Sequence, residues 1–99
     1  MIATEIGEFG RWAVGWAERN GGLWPAEANL ARLAEEVGEV ARHVNAQAGR
    51  KALSDAAEGA AGEVGDALFV LALLAHQLGT NLDEAALAVR RKQALRERA

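Results

Sequence analysis

Two short acidic clusters, Glu35-Glu36-Val37-Gly38-Glu39 and Glu63-Val64-Gly65-Asp66, interrupt otherwise apolar, Ala-rich segments of this chain. Residues three apart share a face of an α-helix. Glu36 and Glu39 therefore form one carboxylate pair, and Glu63 and Asp66 form another. Two helices that bring those faces together concentrate four carboxylates in one place. Like charges at that spacing repel, and a hard divalent cation that prefers oxygen ligands resolves the conflict. On a helical wheel, Glu36 stands about 60° from both Glu39 and Leu33, beside the apolar stripe rather than opposite it. Gly38 and Gly65 hold equivalent places in the two clusters, which predicts close helix approach at the level of the carboxylates.

The rest of the chain reads as helix. Ile6, Phe9, Trp12 or Ala13, and Trp16 recur at helical spacing and predict a first helix over about Thr4 to Arg19. Asn20-Gly21-Gly22 ends it, because Gly accepts the left-handed conformation of a helix terminus. The only proline, Pro25, suits a loop or a first helical turn. A second helix follows from Ala26 or Ala28 to about Ala46, with Leu30, Leu33, Val37, Val40 and Val44 as its apolar stripe. After a loop to Ser54, Asp55 and Glu58 resemble a capping box, and a third helix is expected from about Ala56 to Leu78. Its second half, Leu68 to Leu74, is apolar all round and predicts burial on every side. Gly79 stops it. Asn81, three residues before Glu84, caps a fourth helix whose acidic start and basic end complement the helix dipole. No β pattern appears. The expected fold is an all-α, antiparallel four-helix bundle in one domain spanning 1–99, oligomerising through helix packing.

Charge and composition exclude several functions. A net charge of −3 disfavours general binding to nucleic acid polymers or anionic membranes. The absence of cysteine excludes disulfides and thiolate metal sites. The most apolar run, Ala67 to Ala75, falls short of the roughly 20 residues of a membrane span. The N-terminus lacks the pattern of a signal peptide, so a cytoplasmic protein is expected. His43 and His76 stand in no Glu-x-x-His relation, which disfavours a ferritin-like di-iron site and leaves both as ordinary polar or interface residues.

The joint motif E-E-x-x-E … E-x-x-D, with its flanks, resembles the signature of the MazG-like all-α nucleoside triphosphate pyrophosphohydrolases. That superfamily includes MazG, dimeric dUTPases, dCTP pyrophosphatases and phosphoribosyl-ATP pyrophosphohydrolase. Asn29 to Val40 is similar to the family's second helix. Glu63 to Leu68, with Leu78-Gly79-Thr80-Asn81-Leu82-Asp83-Glu84-Ala85, is similar to its third helix and the turn into the fourth. The resemblance implies hydrolysis of (d)NTPs at the α–β phosphoanhydride to nucleoside monophosphate and pyrophosphate, as nucleotide-pool house-cleaning. It implies Mg²⁺, or Mn²⁺ in its place, held by Glu36, Glu39, Glu63 and Asp66. Glu36 and Glu35 are the candidate catalytic residues. Glu35 would orient the attacking water or a second metal, or simply face solvent.

Substrate contacts follow from the same resemblance. Trp24 would stack on the base and Asn29 would supply an amide. Arg50 and Lys51 in the loop, and Arg90, Lys92 and Arg96 on the last helix, are the candidate phosphate cations. Family members usually carry a Lys and a later Asn on that helix, before Arg/Lys-Tyr-Pro. Here Val89-Arg90 and Gln93 occupy the comparable positions, Arg96 matches the terminal Arg, and no Tyr-Pro follows. Trp12, Trp16 and Phe69 are assigned to the core or to a subunit interface. A homodimer or a dimer-of-dimers tetramer is expected, since family members build their sites partly across subunits. Two alternatives stand beside this reading: a phosphoribosyl-ATP pyrophosphohydrolase or dUTPase-like specificity, and a non-catalytic helical module that binds a nucleotide or a protein.

Overall fold

The computed structural model describes residues 5–49 and 59–98. Among them are four α-helices and no strand: α1 (Glu5–Arg19), α2 (Ala26–Gln47), α3 (Ala60–Gln77) and α4 (Leu82–Arg98). The expected all-α, four-helix fold is what is observed. The chain forms two compact units, residues 1–23 with 72–99, and residues 24–71. No single helix among the described residues is long and apolar enough to cross a membrane.

In the first unit the expected caps form. Asn20 Nδ2 donates to the Trp16 carbonyl at 2.8 Å, and Gly21 and Gly22 take φ of 102° and 86°. The left-handed Gly79 (φ 79°) lets the Thr80 N–H reach the Ala75 carbonyl at 2.9 Å, which closes α3. Asn81 Oδ1 accepts from the Glu84 N–H at 2.9 Å, so Asn81 is the N-cap of α4.

The buried face of α1 is not the one its large apolar residues mark. Gly7, Gly10, Ala13 and Ala17 are buried, while Ile6, Trp12 and Trp16 are exposed. Of the two places expected for Trp12 and Trp16, core or subunit interface, the core of this chain is not where they lie. The reason is close packing. A Cβ on Gly10 would stand 3.3 Å from Leu82 Cδ1, and a Cβ on Gly7 would meet the Asp83 carboxylate. The side chain of Asp83 is only 3% exposed and accepts an ion-paired hydrogen bond from Arg11 Nη1 at 3.0 Å. The glycines, which weaken α1 intrinsically, thus admit the first turn of α4.

The second unit holds α2 and the N-terminal part of α3. Pro25 precedes α2, and its carbonyl accepts the first helical bond, from the Asn29 N–H at 3.0 Å. The structure corrects three expectations here. α3 begins at Ala60 rather than Ala56, with Gly59 outside the helix, and the Ser54, Asp55 and Glu58 capping residues lie outside the described residues. Among the described residues of the single chain a Cβ at Gly38 or Gly65 would meet nothing within 4 Å, so these glycines do not bring its own helices closer. Nor is the apolar half of α3 buried on every side, because Leu71 is 43% exposed, and Leu30, Val37 and Val44 of α2 are exposed as well. Hydrophobic periodicity reports a face that wants covering, but a single chain need not be what covers it.

Candidate metal centre

The acidic clusters do converge. Glu36 comes from α2, and Glu63 and Asp66 come from successive turns of α3. One carboxylate oxygen from each of the three lies within 4.8 Å of the other two. Glu63 is 5% exposed, Glu36 is half-buried and Asp66 is exposed, so the group opens to solvent on the Asp66 side. Burial raises the Glu36 pKa above its ordinary value of 4.5, and the Asp66 charge raises it further. The Arg32 guanidinium opposes this, while the Glu63 and Glu39 carboxylates add to it. Arg32 therefore does not cancel the repulsion. Three hard oxygen donors with uncompensated charge fit a divalent cation such as Mg²⁺ or Mn²⁺.

The raised pKa has a consequence for the metal-free protein. Ionised Glu36 is worse placed in the fold than in the unfolded chain. Its contribution to stability is present below pH 4.5 and is lost as pH rises through the higher folded value. With chelator present, Glu36→Gln is expected to raise the thermal midpoint at pH 7.5 and to flatten its fall as pH rises above 4.5. A variant less stable than the parent at pH 7.5 would contradict the repulsion.

The other candidate residues are placed unevenly. Glu39 is one turn along α2 but is not drawn into the three-carboxylate group. Its Oε2 accepts from Arg42 Nη1 at 2.9 Å. Glu35 is exposed. Trp24 is exposed too, and Asn29 is fully buried, donating from Nδ2 to the Trp24 carbonyl at 3.3 Å. Asn29 thus holds the backbone of Trp24. Arg90, Lys92 and Arg96 are exposed along α4, and Arg50 and Lys51 lie outside the described residues.

Arg32 is the residue that sequence reasoning passed over. Its guanidinium lies 5.2 Å from the Trp24 ring centroid and 5.6 Å from that of Phe69, placing a cation between two aromatic faces. Phe69 is therefore a platform for Arg32, not simply core. The signal was present: Arg32 is four residues before Glu36, and Phe69 is three after Asp66, on the same helix faces as the carboxylates.

A family model, the MazG nucleotide pyrophosphohydrolase domain, matches residues 25–99. The chain belongs to the MazG nucleotide pyrophosphohydrolase family. Its match to YpjD of Bacillus subtilis (strain 168) is 45% identical over 67 residues, 65% of this chain and 60% of YpjD. The matched segment thus spans less than two thirds of that relative. In three dimensions the chain is similar to the crystal structure of YpjD from Bacillus subtilis, with a TM-score of 0.75 and 33% identity over 93% of this chain and 97% of that one. It is also similar to the Bacillus-conserved MazG protein, a nucleotide pyrophosphohydrolase, with a TM-score of 0.72 and 30% identity over 93% and 91% of the two chains. The MazG match begins at Pro25, so α1, with its glycine face, precedes it.

Proposed function

We propose that this chain hydrolyses nucleoside triphosphates between the α and β phosphates, with canonical or damaged (d)NTPs as substrates. The observation that carries the reading is the convergence of Glu36, Glu63 and Asp66 in a chain of this family. Water adds at phosphorus, the bridging P–O bond breaks, and nucleoside monophosphate and pyrophosphate leave. Glu36, Glu63 and Asp66 would hold Mg²⁺ or Mn²⁺, with Glu39 one turn away as a further ligand once released from Arg42. Bound there, the ion would offset phosphate charge and acidify water beside it. Glu35, exposed next to Glu36, is assigned to accept the proton of the attacking water. Trp24 offers an open ring for the base, steadied by Arg32 beneath it and by Asn29 at its carbonyl. Arg90, Lys92, Arg96 and Lys51 are assigned to the phosphates.

The test is direct. The protein is incubated with a panel of ribo- and deoxyribonucleoside triphosphates and Mg²⁺, and pyrophosphate and orthophosphate are measured separately. Pyrophosphate with the matching monophosphate is the expected product. Orthophosphate alone, or no turnover of any nucleotide by a protein that binds metal, rejects the proposal.

The assembly belongs to the same reading. Leu30, Val37 and Val44 are exposed at seven-residue intervals along α2, and Val64 and Leu71 are exposed at the same interval on α3. Such stripes favour a second copy of the chain. Sedimentation equilibrium at micromolar concentration is expected to give the mass of two or four chains, and a monomer under those conditions removes this part.

A further inference from the structure

His43 lies one turn beyond Glu39 on α2, and its imidazole approaches the Glu63 carboxylate. Its side chain is 12% exposed, and Nδ1 itself is buried with no hydrogen-bond partner among the described residues. The Glu63 carboxylate faces it, with Oε1 3.9 Å from Nδ1. That is roughly 0.7 Å beyond hydrogen-bond range. A buried ring nitrogen without a partner is costly, and so is a carboxylate as deeply buried as Glu63. His43 does not join the three-carboxylate group, which consists of Glu36, Glu63 and Asp66. It is therefore a neighbour of one grouped carboxylate, Glu63, rather than a member of the group.

We propose that His43 is a positioning residue, donating from Nδ1 to one oxygen of Glu63 while the carboxylate's ligating oxygen is turned to a divalent cation. The inference rests on the metal site proposed above and extends it to the group that aims its most buried ligand. A carboxylate has two oxygens and free rotation about its last bond. Burial keeps water from fixing that rotation, and a single donor on the inner side does so. Hydrogen bonds to ligating carboxylates are the usual way a protein sets ligand orientation, and losing one typically weakens metal binding by about 10- to 100-fold. The neutral imidazole with its proton on Nδ1 suffices, so no change of protonation is needed.

The experiment is a double-mutant cycle read by calorimetric titration of Mn²⁺ into the nucleotide-free full chain. The variants are His43→Ala, His43→Gln, Glu63→Gln and His43→Ala with Glu63→Gln. His43→Gln keeps an amide donor and most of the volume, and it guards against a folding defect in the alanine variant. The expected result is roughly tenfold weaker Mn²⁺ binding in His43→Ala, with affinity largely restored in His43→Gln. In the Glu63→Gln background, His43→Ala should cost nothing further, because the group it orients has gone. Equal losses in His43→Ala and His43→Gln, or additive losses in the double variant, overturn the proposal. Unchanged affinity in His43→Ala together with a large loss in Glu63→Gln overturns it while leaving the metal site standing. Unchanged affinity in Glu63→Gln overturns the metal site and this inference with it.

Discussion

Asp66→Asn and Glu36→Gln are each expected to lower pyrophosphate release from a nucleoside triphosphate by roughly 10²- to 10³-fold, since a bound ion contributes several kcal/mol to such a transition state. Both changes keep an oxygen in place and remove one negative charge. The loss should therefore appear first as a raised Mg²⁺ requirement, and raising Mg²⁺ should recover part of the rate. Asp66 is the more exposed of the two, and Glu36 is the one burial already disfavours in its charged form. Hence Glu36→Gln should keep or gain thermal stability without metal while losing activity. This opposite movement separates a ligand from a structural carboxylate. Initial rates across a Mg²⁺ series, with melting curves in chelator, make the check. Full activity in either variant at low Mg²⁺ would remove that residue from the site.

Gly7→Ala is expected to destabilise the protein by about 2–3 kcal/mol, the cost of forcing extra volume into a packed site. For a domain of this size that lowers the thermal midpoint by on the order of 10–20 °C. Helix propensity alone predicts the reverse, since Ala in place of Gly within a helix gains up to about 1 kcal/mol. The added methyl would occupy the place of the Asp83 carboxylate. Asp83 has little room to retreat, being nearly enclosed and held by Arg11 at 3.0 Å, and Asp is too short to swing clear. Steric overlap and a disturbed ion pair therefore outweigh propensity. Gly38→Ala supplies the contrast. Among the described residues nothing lies within 4 Å of a Cβ there, so propensity acts unopposed and a modest stabilisation is expected. Melting curves of the two variants should move in opposite directions, and a stabilised Gly7→Ala would show that the first turn of α4 can give way.

Much of the site was legible because its information is local. Glu63 and Asp66 share a face through spacing alone, and the resemblance of the chain around them implied a metal-binding role. Glu39 was less legible. Its spacing from Glu36 predicts a ligand, yet Arg42, three residues on, offers an ion pair at 2.9 Å. Spacing cannot weigh a cation on the same helix against carboxylates arriving from another. Arg32 and His43 were legible only afterwards, since each becomes meaningful through a partner on α3: Phe69 for the first and Glu63 for the second.

By itself the sequence determined the helical class, the helix stops at Gly21-Gly22 and Gly79, the Asn81 cap and the pairing of acidic residues. These depend on neighbours within a few positions, where backbone geometry leaves little choice. The tertiary structure decided which face of α1 is buried. Large apolar residues mark one face, but Gly7 and Gly10 admit Leu82 and Asp83 on another, and only the arriving helix shows that the small side is the inner one. It also decided that Glu36, Glu63 and Asp66 meet while Glu39 stays with Arg42. Register between helices is set by long-range packing, which no window of the chain contains.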